Sequence, residues 1–151
     1  MAELEFVAQI AAAPDRVAAF FVPQRMPYWY GREMQTEFEV QGGAADFEVG
    51  QKVRITGRLG RKEVSLTTVV TRFQPGRALE WRFSDSYGVR GRQSWDLQAS
   101  ANGTRVWMRD IYELPGALGR LADRLLMKHT VARRDRAWLD QLRKIAENAA
   151  E

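Results

Sequence analysis

An acidic residue, Asp110, occupies a position where the sequence pattern predicts the buried face of a strand. Asp110 lies between Met108 and Tyr112 in a segment that alternates in character. Successive side chains of a strand point to opposite faces, so Asp110 is expected to face inward. A buried carboxylate is costly unless it is paired or protonated. Asp110 and Tyr112 are therefore candidate acid–base or ligand-anchoring groups. A structural hydrogen bond, or a bulge that turns Asp110 outward, would also explain the pattern.

Two further polar residues carry groups suited to chemistry. Gln93 lies on the predicted inner face of the preceding strand, and its neutral amide can pair with a ligand carbonyl or hydroxyl. His129 is the only histidine. At about 100° per residue it lies within about 20° of an apolar helical stripe that includes Leu121 and Leu125, so it is expected to face the sheet. Each of the two is a candidate catalytic or ligand-binding residue, and each also fits a structural role.

Composition excludes several classes of chemistry. The chain has no cysteine and one histidine among 151 residues. This excludes disulfides, thiol catalysis and cysteine metal sites, and it leaves no convincing set of metal ligands. No P-loop, G-x-G-x-x-G, H-E-x-x-H or G-x-S-x-G motif occurs. We therefore predict neither a metal nor an organic cofactor.

The charge distribution bears on partners and location. The net charge is +4, but the basic residues are spread along the chain with acids between them. No nucleic-acid-binding motif is present, so nucleic-acid binding is not expected. The N-terminal residues, which include Glu3 and Glu5, lack the apolar core of a signal peptide. No apolar run approaches the roughly 18 residues of a transmembrane helix. We expect a cytoplasmic protein without a transmembrane segment.

The order of predicted elements indicates an α+β fold. Residues 4–10 alternate as a first strand, Pro14 opens a short helix, and a short aromatic piece follows at 24–30. The next strands are predicted at 34–40, 53–58, 64–73, 79–84, 90–99 and 105–112. Short connections favour antiparallel pairing of neighbours, and the inward face of 64–73 stays open. One long helix is predicted from 115 to 148, within a single domain spanning 1–151.

Four stretches resemble one known group of proteins. Residues 6–17 resemble its opening strand and A-P-x-x-V helix start, 71–81 its V-x-x-x-x-P-x-x-x-L-x-aromatic hairpin, 102–106 its x-G-T-x-V hairpin, and 139–147 its closing L-x-x-L-K-x-x-x-E. With the element order, the whole chain resembles the START/Bet v-allergen-like (SRPBCC) superfamily, in its polyketide cyclase/dehydrase-like and lipid-transport branch. The resemblance implies a helix-grip fold, in which a seven-stranded curved antiparallel sheet (β-α-α-β6-α) wraps around a long C-terminal helix.

The same resemblance implies a cavity between the sheet and the long helix. Its predicted lining is Trp29, Phe38, Ile55, Trp81, Phe83, Gln93, Trp95, Met108, Asp110, Tyr112, Leu121, Leu125 and His129. Any single aromatic member fits core packing as well, and the aromatic residues at 28–30 form either a gate or a plug. The half of the helix with Leu121, Leu125 and His129 is the predicted lid, and the half with Trp138 and Leu142 is the predicted packed anchor.

Three functions remain open at this level. The leading interpretation is a binding protein for a small hydrophobic or aromatic molecule, such as a lipid or polyketide. The second is a cyclase/dehydrase or aromatase-type enzyme acting in the same cavity, with Asp110, Tyr112, Gln93 and His129 as acid–base and orienting groups. The third is an interaction module with a solid core. In that case an exposed Trp107 would mark a partner or homodimer surface.

Overall fold

The computed structural model describes residues 1–116 and 121–148, with the backbone alone in 121–123. Its strands are β1 Ala2–Ile10, β2 Glu37–Val40, β3 Lys52–Leu59, β4 Lys62–Gln74, β5 Ala78–Asp85, β6 Arg90–Ser100 and β7 Gly103–Glu113. The helices are α1 Pro14–Ala18 and α2 Leu121–Asn148. Within the described residues the seven strands form one sheet in the order β1-β7-β6-β5-β4-β3-β2, with antiparallel neighbours. The predicted α+β helix-grip order is confirmed.

Alternating side chains give the sheet a buried face and an exposed face. On β7, Met108, Asp110 and Tyr112 are all buried, whereas Trp107 is 40% exposed. β6 follows the same period with Gln93 inside, and the register of the two strands pairs Gln93 with Asp110. The inner face predicted for these strands is confirmed, and Asp110 lies on no bulge.

A bulge decides the inner face of β4, which the sequence left open. Thr68 and Val70 are buried, and Val70 lies opposite Trp81. The register then shifts between Val70 and Arg72, so that Phe73 lies opposite Leu79. An extra residue in one strand moves later side chains to the other face. The run of β-branched residues in this strand hides that shift from the sequence pattern.

The chain enters the sheet later than predicted. The strand predicted at 34–40 begins at Glu37, because Arg32–Met34 forms a 3-10 turn and Gln35 follows it with a φ of 52°. The Thr36 hydroxyl donates to the Tyr30 carbonyl at 2.7 Å and closes this turn. The irregular backbone holds Tyr30 against the inner face of the sheet, where its side chain is 3% exposed.

One stripe of α2 packs on the sheet. Its buried members are Val131, Asp135, Trp138, Leu139, Leu142 and Ala146. Pro115 and Gly116 lie before the helix, and the residues between 116 and 121, including Leu118, lie outside the described part of the chain. No helix in the described part is long and apolar enough to cross a membrane.

Gly91 on β6 allows the backbone of β7 to lie close to it. A Cβ at Gly91 would lie 1.9 Å from the Ile111 carbonyl oxygen and 2.7 Å from the Tyr112 Cα. Both atoms belong to backbone, so Gly91→Ala must displace β7.

We expect Gly91→Ala to lower the free energy of unfolding by about 3 kcal/mol, measured by urea denaturation. The matched control is Gly116→Ala, where a Cβ meets nothing within 4 Å and the change should stay within about 0.5 kcal/mol. Equal effects of the two substitutions would contradict the close packing.

Candidate functional site

A cavity of about 210 Å³ lies between α2 and the inner face of the sheet. Leu59 and Tyr87, each 55% exposed, line one side of it, so the cavity reaches solvent there. Apolar side chains make up most of the remaining wall: Ile55, Leu66, Phe83, Val89, Met127 and Val131. An apolar enclosure with few polar groups is the usual form of a site for a small organic molecule.

The polar groups of the cavity include a connected cluster. Its lining members are Tyr30, Gln93, Asp110, Tyr112 and Arg134. The Gln93 side-chain oxygen accepts from the Tyr30 hydroxyl at 2.7 Å and from the Trp81 indole nitrogen at 3.0 Å. These two donors fix the orientation of the amide, and its nitrogen then donates to Asp110 Oδ2 at 3.4 Å. Burial raises the pKa of Tyr30, so its hydroxyl keeps its proton and remains a donor.

Two buried carboxyls flank one guanidinium in this cluster. Arg134 lies 3.6 Å from Asp110 Oδ2 and 3.3 Å from Asp135 Oδ1. Asp110 is 1% exposed and Asp135 is 0% exposed. Arg134 also covers the ring of Trp138 at 4.5 Å, which fixes the guanidinium by a cation–π contact. One guanidinium is therefore the counterion of two carboxyls that have almost no access to water.

A proton on Asp135 balances the charge of the two carboxyls against the single guanidinium. Burial, followed by hydrogen bonding and charge repulsion from Asp110, raises the pKa of Asp135 from an ordinary 3.8 to about 9. Two neighbouring carboxyls in a site of low polarity cannot both ionise readily, so the pair holds one proton near neutral pH. With Arg134 charged, the three groups together carry no net charge.

Three buried polar atoms of this cluster and its surroundings have no hydrogen-bond donor or acceptor assigned among the described residues. They are Asp110 Oδ1, Asp135 Oδ2 and the Tyr112 hydroxyl oxygen. The proton held by the carboxyl pair joins Asp135 to Asp110, and because a carboxylate oxygen can accept more than one hydrogen bond, Asp110 can accept a further one. Burial and the nearby Asp110 raise the pKa of Tyr112, which therefore keeps its hydroxyl proton. Unsatisfied buried polar atoms are rare in proteins and call for an explanation. Asp110 and Tyr112 line the cavity, whereas Asp135 does not.

The structure divides the predicted site residues into two groups. Those that line the cavity are Ile55, Phe83, Gln93, Asp110 and Tyr112. The other described aromatic and sulfur-containing members pack around the cavity wall instead of lining it: Trp29, Phe38, Trp81, Trp95 and Met108. Trp81 and Trp95, with ring centroids 5.1 Å apart, illustrate this packing. Trp81 still contributes through its hydrogen bond to Gln93.

The predicted orientation of the helix lid is wrong. His129 is exposed and lies 3.2 Å from Arg133, and Leu125 is 59% exposed. The side chain of Leu121 lies outside the described residues. Packing of the second half of α2 fixes which side of the helix faces the sheet. One turn after another toward the N-terminus, that side includes Val131 and Met127. His129 and Leu125 lie one turn apart on a different side of the helix.

Arg134 and Asp135 are the charged members of the site on α2, and the sequence pattern does not predict them as site residues. They lie in a charged run that is typical of a solvated helix face, so the sequence around them gives no sign that they are buried or lie near the cavity. The available signal was helical spacing, because Asp135 precedes Leu139 by four residues and Leu142 by seven. That spacing places Asp135 on the packed stripe of the helix. Among the described residues, no group of three or more His, Cys, Asp or Glu side chains is arranged to hold a metal ion.

The proton on Asp135 makes stability depend on pH. The folded chain keeps this proton up to about pH 9, whereas an unfolded carboxyl loses it near 3.8. The folded state thus binds more protons across this window, and the free energy of unfolding falls as pH rises through it. We expect Asp135→Asn to flatten this dependence and to raise stability near pH 8 by on the order of 2 kcal/mol. Urea denaturation between about pH 5 and pH 8 measures both effects.

The matched control for that experiment is Asp46→Asn, because Asp46 is exposed. This variant should keep the slope of the wild-type protein. A slope that persists in Asp135→Asn would show that the pair does not hold the proton.

Comparison with solved structures places this geometry in a known fold. A Mesorhizobium loti protein, MLL2253, matches with a TM-score of 0.76 and 14% identity over 99% of both chains. TTHA0849 of Thermus thermophilus matches with a TM-score of 0.69 and 22% identity over 99% of this chain and 100% of that one. DynU16, encoded in the dynemicin biosynthetic locus, matches with a TM-score of 0.72 and 18% identity over 97% of this chain and 48% of its own. At these identities the similarity shows the fold.

Sequence comparison gives the family. No curated protein matches the chain significantly. The family model described as polyketide cyclase/dehydrase and lipid transport matches residues 1–147. This match covers the strands, the cavity and nearly all of α2, and it confirms the resemblance seen in the sequence. The chain is therefore a member of the polyketide cyclase/dehydrase and lipid transport family.

Proposed function

We propose that the protein binds a small hydrophobic or aromatic molecule in the cavity between the sheet and α2. The observation that carries this proposal is the pairing of an apolar enclosure with two unpartnered polar atoms, Asp110 Oδ1 and the Tyr112 hydroxyl. A molecule with an apolar body and a polar end would satisfy both parts of the site. The family description supports the same class of ligand.

Cavity size favours a compact ligand. An apolar cavity of about 150 Å³ is enough to hold benzene. The volume of about 210 Å³ in this protein suits one or two fused rings. A longer molecule, such as an acyl lipid, would have to extend past Leu59 and Tyr87 at the exposed side.

Filling the cavity tests this proposal. Val131 on α2 is 8% exposed and lines the cavity. We expect Val131→Phe to weaken binding of methylnaphthalene and naphthylmethanol by at least about tenfold in titration calorimetry, because the added ring occupies the ligand volume. The matched control is Val7→Phe, since Val7 is 62% exposed and lies on β1 away from this cavity. Equal affinities in the two variants would place the binding site elsewhere, and circular dichroism confirms that both are folded.

A second candidate function is acid–base catalysis on a carbonyl compound in the same cavity. The specific observation in its favour is that Asp110 Oδ1 receives no hydrogen bond from Gln93 or Arg134, which both lie against Oδ2, and that the neighbouring phenol of Tyr112 keeps its proton. Asp110 would take a proton from the carbon next to the carbonyl. The electron pair of that C–H bond would form the enolate, whose oxygen Tyr112 and Arg134 would stabilise. Gln93 would hold the base in position through its bond to Oδ2.

Hydrogen exchange tests the catalytic alternative. β-Tetralone is a compact two-ring ketone whose α-hydrogens exchange slowly in D₂O. If Asp110 is the base, the wild-type protein should accelerate deuterium incorporation, followed by NMR, and Asp110→Asn should lower that rate by at least about a hundredfold. Asp46→Asn, which changes an exposed carboxyl, should leave the rate unchanged. A wild-type rate no faster than that of buffer would contradict this catalytic role.

A further inference from the structure

We propose that the Asp110–Asp135–Arg134 cluster selects an uncharged ligand that carries a hydroxyl donor, and that it disfavours carboxylates and amines. This inference rests on the proposed binding function and names the chemistry of the polar end of the ligand. The ligand class is thus a compact aromatic or alicyclic alcohol, phenol or enol. Asp135 does not line the cavity, so its role is to set the charge at Asp110 and Arg134.

The charges of the cluster balance. The titratable groups around Asp110 are Asp135 and Arg134 on α2, Tyr112 on β7 and Tyr30 before β2. Both tyrosines are neutral, one carboxyl is protonated and the guanidinium is charged. The two carboxyls are buried, whereas the Arg134 side chain is 37% exposed. A cluster without net charge gives an anion no net attraction, because an anion that pairs with Arg134 also lies beside the Asp110 carboxylate. Moving an ion into such a site costs hydration energy that the neutral cluster returns only in part.

Asp110 and Tyr112 offer a ligand complementary hydrogen-bonding atoms. Asp110 Oδ1 can only accept, and besides the hydrogen bond between the Asp110 and Asp135 carboxyls it can accept one from a ligand. The Tyr112 hydroxyl can donate. The two residues are neighbours on the inner face of β7, with one residue between them. A ligand hydroxyl can donate to Oδ1 and accept from the tyrosine, and so it satisfies both atoms. An ether or a ketone satisfies only the tyrosine.

A cationic ligand disturbs this charge balance. An ammonium group could donate to Asp110 Oδ1, but the cluster would then carry a net positive charge unless Asp135 released its proton. That release would place two ionised carboxyls, at 0–1% exposure, between Arg134 and the ammonium group, and the desolvation of all these ions would offset the gain from pairing them. A neutral hydroxyl needs neither change. Hydrogen bonds to ionised acceptors are the stronger kind, so the hydroxyl gains affinity without disturbing the cluster.

Four naphthalenes that differ in one substituent test the inference. They are methylnaphthalene, naphthylmethanol, naphthoate and naphthylmethylammonium, each titrated near neutral pH by calorimetry. We expect naphthylmethanol to bind at least about tenfold more tightly than each of the other three. Equal binding of the alcohol and the hydrocarbon, or tightest binding of either ion, would overturn the inference and leave the binding function standing. Failure of all four to bind would contradict the binding function itself.

Two variants localise the preference. Asp110→Asn and Tyr112→Phe should each bring the affinity ratio of naphthylmethanol to methylnaphthalene close to one. This ratio is taken within one protein preparation, so a partly unfolded variant does not distort it. Asp46→Asn should keep the wild-type ratio. An unchanged ratio in both Asp110→Asn and Tyr112→Phe would show that the hydroxyl binds elsewhere, against the proposal.

The role of Asp135 has its own readout. In the wild-type protein, loss of the shared proton near pH 9 adds a negative charge beside the ligand and should weaken binding of naphthoate further. Asp135→Asn cannot lose a proton, so its ratio of naphthylmethanol to naphthoate affinity should not change with pH. A merely structural role for Asp135 would leave the wild-type pH profile in place in this variant.

Discussion

The arrangement of Arg134 between the carboxyls of Asp110 and Asp135 is the constraint on which the site depends. It joins the last strand to α2 through the 3.6 Å contact of Arg134 with Asp110, and within α2 Arg134 lies 3.3 Å from Asp135. Buried carboxyls are tolerated only when a countercharge or a proton compensates them, and here both are present. The contact therefore places two acidic groups and one basic group at the same end of the cavity, and it keeps that end electrically neutral.

Aromatic packing holds this arrangement in place. Tyr30 packs against Trp138 in a tilted arrangement, with ring centroids 4.4 Å apart, and also donates to Gln93. Trp81 packs on Trp95 and donates to the same amide oxygen. Because the rings are large and close-packed, the orientation of Gln93 is set before any ligand arrives, and such preorganisation lowers the cost of binding. Solved structures at 14–22% identity share the fold, and function is decided by the side chains of a site and not by the fold.

The sequence predicted the half of the site that lies on strands. Asp110 and Tyr112 alternate with outward residues on β7, and Gln93 does so on β6. A strand has a period of two, and a one-residue error would bury charged residues, so this pattern is unambiguous. The same reasoning left the inner face of β4 open, and there a bulge between Val70 and Arg72 changes the face. It failed at 34–36, where a left-handed residue, Gln35, precedes the strand.

The sequence by itself determined the order of elements, the family, and the polar residues on the inner face of the sheet. The tertiary structure decided the rotation of α2. Apolar residues occur on more than one side of this helix, so Leu125 and His129 formed a plausible inner stripe, yet they are exposed. Packing of Trp138 and Leu142 in the second half sets the rotation, which brings Arg134 and Asp135 to the cavity end. Only docking on the sheet makes a charged run of the helix into the partner of Asp110.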